Sequence, residues 1–203
     1  MPVVTIGENT GDDYAGCEDC TIYDASNHDG SDLFLTTPDY NALIKFSGLS
    51  NIAATSTVND ATIYFYPSYS NSSSSTIRRL LLNWVESEAT VNVWSTGNSW
   101  TTTGGESQGN DVSATSTGTF VPGATTGSYV SFGSAQFDAD VEDFIDGPYP
   151  NYGWNIICDA GGWIANESAN SDGTRPYLEV DYTAGAAGLN ITIAAHHYKL
   201  LRR

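Results

Sequence analysis

Between Asp60 and Tyr66 the chain alternates without a break: Ala61, Ile63 and Phe65 fall on one parity, and Thr62, Tyr64 and Tyr66 on the other. Successive side chains of an extended backbone point to opposite faces, so this run is a strand with one buried face. The stretch Pro176–Tyr182 (PYLEVDY) alternates again, with proline at the first position, where its missing N–H costs no ladder bond. A half-buried strand needs a second layer against its apolar face. The outward tyrosines read first as cross-strand pairing, and second as a ligand surface.

Further apolar runs are short and bounded by turn residues. Thr21–Tyr23, Leu33–Leu35, Ala42–Phe46, Ile77–Trp84, Ser128–Phe137, Gly153–Cys158 and Gly162–Ile164 are strand candidates, and residues 2–6 are a short strand or arm. Ser95 to Gly127 reads as a long loop with weak strand signal near Thr119–Val121, and Pro67–Thr76 as a serine-rich loop. One helix is expected, Asp138–Gly147, capped by Asp138, with Val141, Phe144 and Ile145 on its apolar side and Gly147–Pro148 ending it. Gly, Ser, Thr, Asn and Asp abound, which disfavours long helices. The expected fold is all-β, a β-sandwich of jelly-roll type with one short helix. At 203 residues one domain is expected at 23–183, after an N-terminal segment 1–22 and before a C-terminal docking tail 184–203.

Leu80–Val112 holds three of the five tryptophans, Trp84, Trp94 and Trp100, with Glu86, Glu88 and Gly104–Gly105 among them. An indole brings a large apolar body and an N–H that seeks a partner, so the segment is a lid over the core or an aromatic surface.

The formal net charge is −17, from 24 acidic and seven basic residues, and three of those seven (Lys199, Arg202, Arg203) lie in the last five positions. Such a body repels phosphate backbones, which argues against nucleic acid and against polyanionic sugars. No apolar run is long enough to span a bilayer as a helix, and the first residues lack the basic and apolar regions of a signal peptide. Cys17 and Cys20 form one C-x-x-C without a second ligand pair, so plain thiols or a local disulfide come before metal. Cys158, in an apolar run, reads as a small buried hydrophobe.

Taken in order, several stretches resemble the DNRLRE family, a disaggregatase-related group of β-jelly-roll modules similar to carbohydrate-binding modules. They are Leu43–Phe46, Ala61–Tyr66, a box of Trp84, Glu86, Thr90 and Asn92, the later Trp100, the helix Val141–Gly147, Asn151–Gly153 and Arg175–Tyr182. The resemblance spans roughly residues 23–183. Ser47 stands where that family often has Asp, and Val91 where it often has Trp. The resemblance implies a jelly-roll module of carbohydrate-binding type.

Four sets of residues are candidates for function. Trp94, Trp100, Tyr149, Tyr152 and Trp163 lie in or near loops and could present rings to a sugar; the competing reading is that Trp84, Trp100 and Trp154 are core or lid residues. Asp24, Asn27 and Asp29 could wrap a structural calcium, although D-x-x-N-x-D is not an EF-hand and lacks a downstream bidentate Glu. Glu86 and Glu88, two apart on an extended segment, would share a face, as glycosidase chemistry asks of two carboxylates, against a plain network role. No nucleophile elbow occurs. In the tail, Leu189, Ile191 and Ile193 alternate, and Tyr198, Arg202 and Arg203 follow near His196, His197 and Lys199, a pattern suited to docking on an acidic neighbouring subunit or a particle scaffold. The expected function is a non-enzymatic structural or adhesion protein of a phage or virus particle (decoration, fibre or tail), made in a host cytoplasm and displayed outward. The alternatives are a carbohydrate-binding module of an extracellular polysaccharide-degrading system and, behind it, a glycoside hydrolase or lyase.

Overall fold

The computed structural model describes residues 2–7, 16–22, 34–37, 41–68, 73–121, 126–158, 161–165 and 173–185, without the side chains of Phe34, Thr36, Thr37, Cys158 and Ile164. Two antiparallel sheets face each other. The first runs β1 (Val3–Ile6), β13 (Tyr177–Thr183), β5 (Thr57–Phe65), β10 (Val130–Phe132). The second runs β2 (Glu18–Ile22), β4 (Asn41–Lys45), β11 (Trp154–Cys158), β6 (Ser75–Arg79), β9 (Gly118–Phe120). Two small ribbons pair β3 (Phe34–Thr37) with β12 (Gly161–Ile164), and β7 (Val93–Ser95) with β8 (Asn98–Ser99). The described residues form an all-β sandwich with one short α-helix.

The alternation of β5 and β13 does what period two requires. Ala61, Ile63, Phe65, Leu178 and Val180 point inward and meet Ala42, Ile44, Ile77, Trp154 and Ile156 of the opposite sheet in one core. Each such Ile, Leu or Val side chain, fully buried, stabilises by about 1.5–3 kcal/mol. The core is rich in aromatic contacts, among them Phe137 stacked on Trp154 at 4.7 Å and Phe65 against Trp163 at 5.2 Å.

β1 and β2 correct the expected domain boundary. β1 pairs with β13 from Val3↔Asp181 to Ile6↔Leu178, and β2 pairs with β4 from Glu18↔Lys45 to Ile22↔Asn41. Residues 3–6 are therefore built into the first sheet and residues 18–22 into the second.

The helix α1 runs Ala135–Ile145 and starts earlier than expected. Its cap is Ser134, whose Oγ accepts from the Phe137 N–H at 3.0 Å. Asp138 serves elsewhere: the Ala61 N–H donates to its Oδ1 at 2.7 Å, where β5 extends past the end of β10. Burial pushes the Asp138 carboxyl up, against the pull of that N–H. The run expected as one strand, 128–137, thus divides into β10, a turn and the first turn of the helix, because Ser134 offers a cap.

The strand expected at Ile77–Trp84 ends at Arg79. Residues 80–112 then fold over the outer face of the five-stranded sheet. Leu80, Trp84, Ala89, Trp100 and Val112 meet Cys20, Ile22 and Leu43 in a second core. Asp111 holds this layer: its buried carboxylate accepts from the N–H groups of Thr101, Thr102 and Ser107 at 2.8, 3.0 and 3.3 Å. From the sheet below, Asn155 Nδ2 donates to the carbonyls of Gly104 and Gly105, and Asn41 Nδ2 to that of Gly104. Gly153 (φ +72°) lies against the Ile44 carbonyl, which a Cβ would strike.

Candidate functional site

The tryptophan readings divide. Trp100 and Trp163 are buried, which removes them from an exposed sugar platform. The Trp100 indole N–H donates to the Thr90 carbonyl at 2.8 Å, and Trp84 donates likewise to the Tyr152 carbonyl at 2.8 Å. Trp94 and Tyr152 are half-buried, packed against the second core. Tyr149 is 45% exposed, with the Arg79 guanidinium 3.9 Å from its ring centre. The five expected residues do not form a single flat surface: the second core takes two rings partly and one wholly, and the sandwich interior takes Trp163.

The carboxylates also have structural posts. Glu86 and Glu88 sit in a turn, not an extended run; Glu86 accepts from the Asp19 N–H at 2.8 Å, and Glu88 from the Thr96 N–H at 2.7 Å. Asp140, 2% exposed, accepts from Thr117 Oγ1 at 2.6 Å, Gln136 Nε2 at 3.1 Å and Trp154 Nε1 at 3.2 Å, and lies 3.6 Å from Arg79. Arg79 also pairs with Asp143 at 2.7 Å.

Cys17 and Cys20 are buried thiols without a disulfide between them. Three residues apart on an extended chain, they point to opposite sides: Cys17 joins the sandwich core and Cys20 the second core. Burial, then the nearby carboxylates of Asp19, Glu86 and Glu18, pushes the Cys17 thiol well up. Asp24, Asn27 and Asp29, and the tail from Leu189 through Ile191, Ile193 and Tyr198 to Arg202 and Arg203, lie outside the described residues. Among the described residues no group of three His, Cys, Asp or Glu side chains converges as a metal site.

The surface with most character is the outer face of the four-stranded sheet. Register sets it: Tyr177 lies opposite Tyr64, Glu179 opposite Thr62, and Asp181 opposite Asp60. Tyr129, just before β10, and Tyr66, just after β5, complete a quartet of half-buried rings. Tyr64 and Tyr177 stack at 4.4 Å with planes 8° apart; Tyr129 stands edge-on to Tyr177 at 5.0 Å and to Tyr66 at 5.4 Å. The Tyr129 hydroxyl donates to the Arg175 carbonyl at 2.9 Å. A hydrogen bond to Glu179, with burial next, pushes the Tyr64 phenol up to about 12.

Beyond the rings, the face is acidic. Asp60 and Asp181 stand directly across from each other, an arrangement that costs energy between like charges. Thr62 Oγ1 donates to Asp60 and Asn59 Nδ2 to Asp181, both at 3.2 Å. Among the described residues the ion pairs are Lys45 with Glu18 and Arg79 with Asp140 and Asp143, and none reaches this face.

The hollows are different. Among the described residues, a groove of about 500 Å³ between β1 and the 3-10 turn Ser47–Asn51 is lined without an ionisable side chain. One of about 260 Å³ has the paired Glu18 and Lys45 at its rim, with Phe144 and Asn151. The sequence held a signal for the tyrosine face in the 62/64/66 and 177/179/181 parities. What it lacked was the register that sets those parities side by side. No family model and no curated protein matches the chain.

Proposed function

We propose that the chain is a non-enzymatic structural or adhesion module displayed on the surface of a phage or virus particle, as a decoration, fibre or tail component. Its sandwich is of the carbohydrate-binding-like kind that the DNRLRE resemblance implies. The observation that carries this reading is the tyrosine–carboxylate face. Half-buried aromatic rings beside unbalanced charge suit contact with a partner, where tyrosine and arginine are enriched. The tryptophans and several carboxylates supply the rigid body beneath. Subunits join through the basic segment 184–203, which complements a body of 24 acidic and four basic residues. Electron microscopy and sedimentation of the purified full chain test it. Symmetric higher-order particles, or addition to a preformed scaffold, are expected; a strict monomer that turns over a glycan defeats it.

A second reading, a carbohydrate-binding module of an extracellular polysaccharide-degrading system, draws on Tyr149, Tyr152 and Trp94, which keep some ring surface outside. Neutral oligosaccharides should then shift tryptophan fluorescence, and Tyr149→Ala should weaken that response. No response to any neutral glycan removes this reading.

A further inference from the structure

We propose that the outer face of the four-stranded sheet is the receptor for the basic segment 186–203 of a second copy of this chain. This rests on the reading that the segment joins subunits, and adds where it lands. The chain has seven Lys and Arg residues. Four belong to the described body, and all are engaged: Lys45 with Glu18, Arg79 with Asp140 and Asp143, Arg78 with the carbonyls of Ser113 and Ala114, and Arg175 buried at 2% exposure. The remaining three are Lys199, Arg202 and Arg203.

The face asks for such groups. Asp60, Glu179 and Asp181 place three carboxylates on one side of two adjacent strands, with four tyrosines alongside. A guanidinium pairs with carboxylates through its planar fork and stacks on aromatic rings, so carboxylate beside tyrosine is arginine chemistry. The alternating Leu189, Ile191 and Ile193 would add apolar contact near Val3, which is 62% exposed opposite Asp181.

Geometry favours a second copy over the same copy. β13 rises about 3.3 Å per residue, so Tyr177 lies about 20 Å back from Thr183. A segment that reversed at Gly185 and ran extended over its own sheet would pass the carboxylates near Asn190 and the rings near Ile193. Lys199 would then fall about 20 Å past them. A segment from a neighbour carries no such tether.

Sedimentation velocity over a concentration series tests this with full-length chains. One variant reverses the segment (Lys199→Glu, Arg202→Glu, Arg203→Glu), one reverses the face (Asp60→Lys, Asp181→Lys), and one carries all five changes. Circular dichroism checks that each keeps its sheet signal. The natural chain should self-associate, less so in about 0.5 M salt. Each reversal should weaken association at least about tenfold, and the five-fold variant should recover it. Tyr177→Ser, which leaves every charge in place, should weaken association as well. Weakening by the segment reversal alone overturns the receptor assignment and leaves subunit docking standing. Association indifferent to both reversals, or a chain monomeric at every concentration, overturns both.

Discussion

At the scale of single residues, hydrogen bonds decide which charged groups are structural. Asp140 is the clearest case: four side chains converge on a carboxylate 2% exposed. Asp140→Ala leaves buried donors on Thr117 and Trp154, frees the half-buried Gln136 amide and removes one of the two acids beside Arg79. Urea denaturation should show a loss of about 3 kcal/mol, within the range for breaking a buried charged network. Tyr64 offers a pH signature. Its phenol is held at about 12, chiefly by Glu179, against an ordinary value near 10. A raised pKa means the unfolded chain releases its proton first. The stabilisation is therefore whole below about pH 10 and lost as pH rises towards 12. In an ultraviolet titration, Tyr64→Phe should remove one phenol from the group ionising above pH 11, and should flatten the loss of stability between pH 10 and 12.

At the scale of elements, the segment 80–112 behaves as a cover fastened at a few points. Its apolar side chains need the outward Leu43, Cys20 and Ile22 of the sheet, and its turns need Asp111. Asp111→Ala leaves three backbone N–H groups without their acceptor. Amide exchange should rise first at Thr101, Thr102 and Ser107, and global stability should fall by about 2–3 kcal/mol. Comparable exchange at those amides in variant and natural chain would show that the cover is held by packing alone. The helix carries a similar lesson. The acid read as its cap instead ties it to β5 through Ala61, while a serine four residues earlier does the capping.

At the scale of the whole molecule, charge is the dominant variable. A net charge of −17 on 203 residues works against the compact state through self-repulsion. Added salt screens it within about 10 Å at 0.1 M. Differential scanning calorimetry should therefore show Tm rising by a few degrees, about 2–5 °C, between roughly 10 and 150 mM salt. Over the same range, subunit association through the basic segment should weaken. Opposite salt responses of folding and assembly distinguish body repulsion from docking, and a Tm that falls with salt contradicts the first.

Alternation alone was enough to place β5 and β13, to assign inward and outward residues on each, and to set the fold class, because side-chain direction in a strand is a local property of the backbone. Turn residues around short apolar runs likewise placed most strands of the sandwich. Partner choice is not local. Which strand lies beside which is decided by the packing of both faces at once, and so Tyr177 meets Tyr64, Asp181 meets Asp60, β1 enters one sheet and β2 the other. The tryptophan-rich stretch shows the same division. Its composition demanded a surface for large rings to cover, and only the folded sheet, apolar at Cys20, Ile22 and Leu43 on its outer side, determined that Trp84 and Trp100 would be buried there.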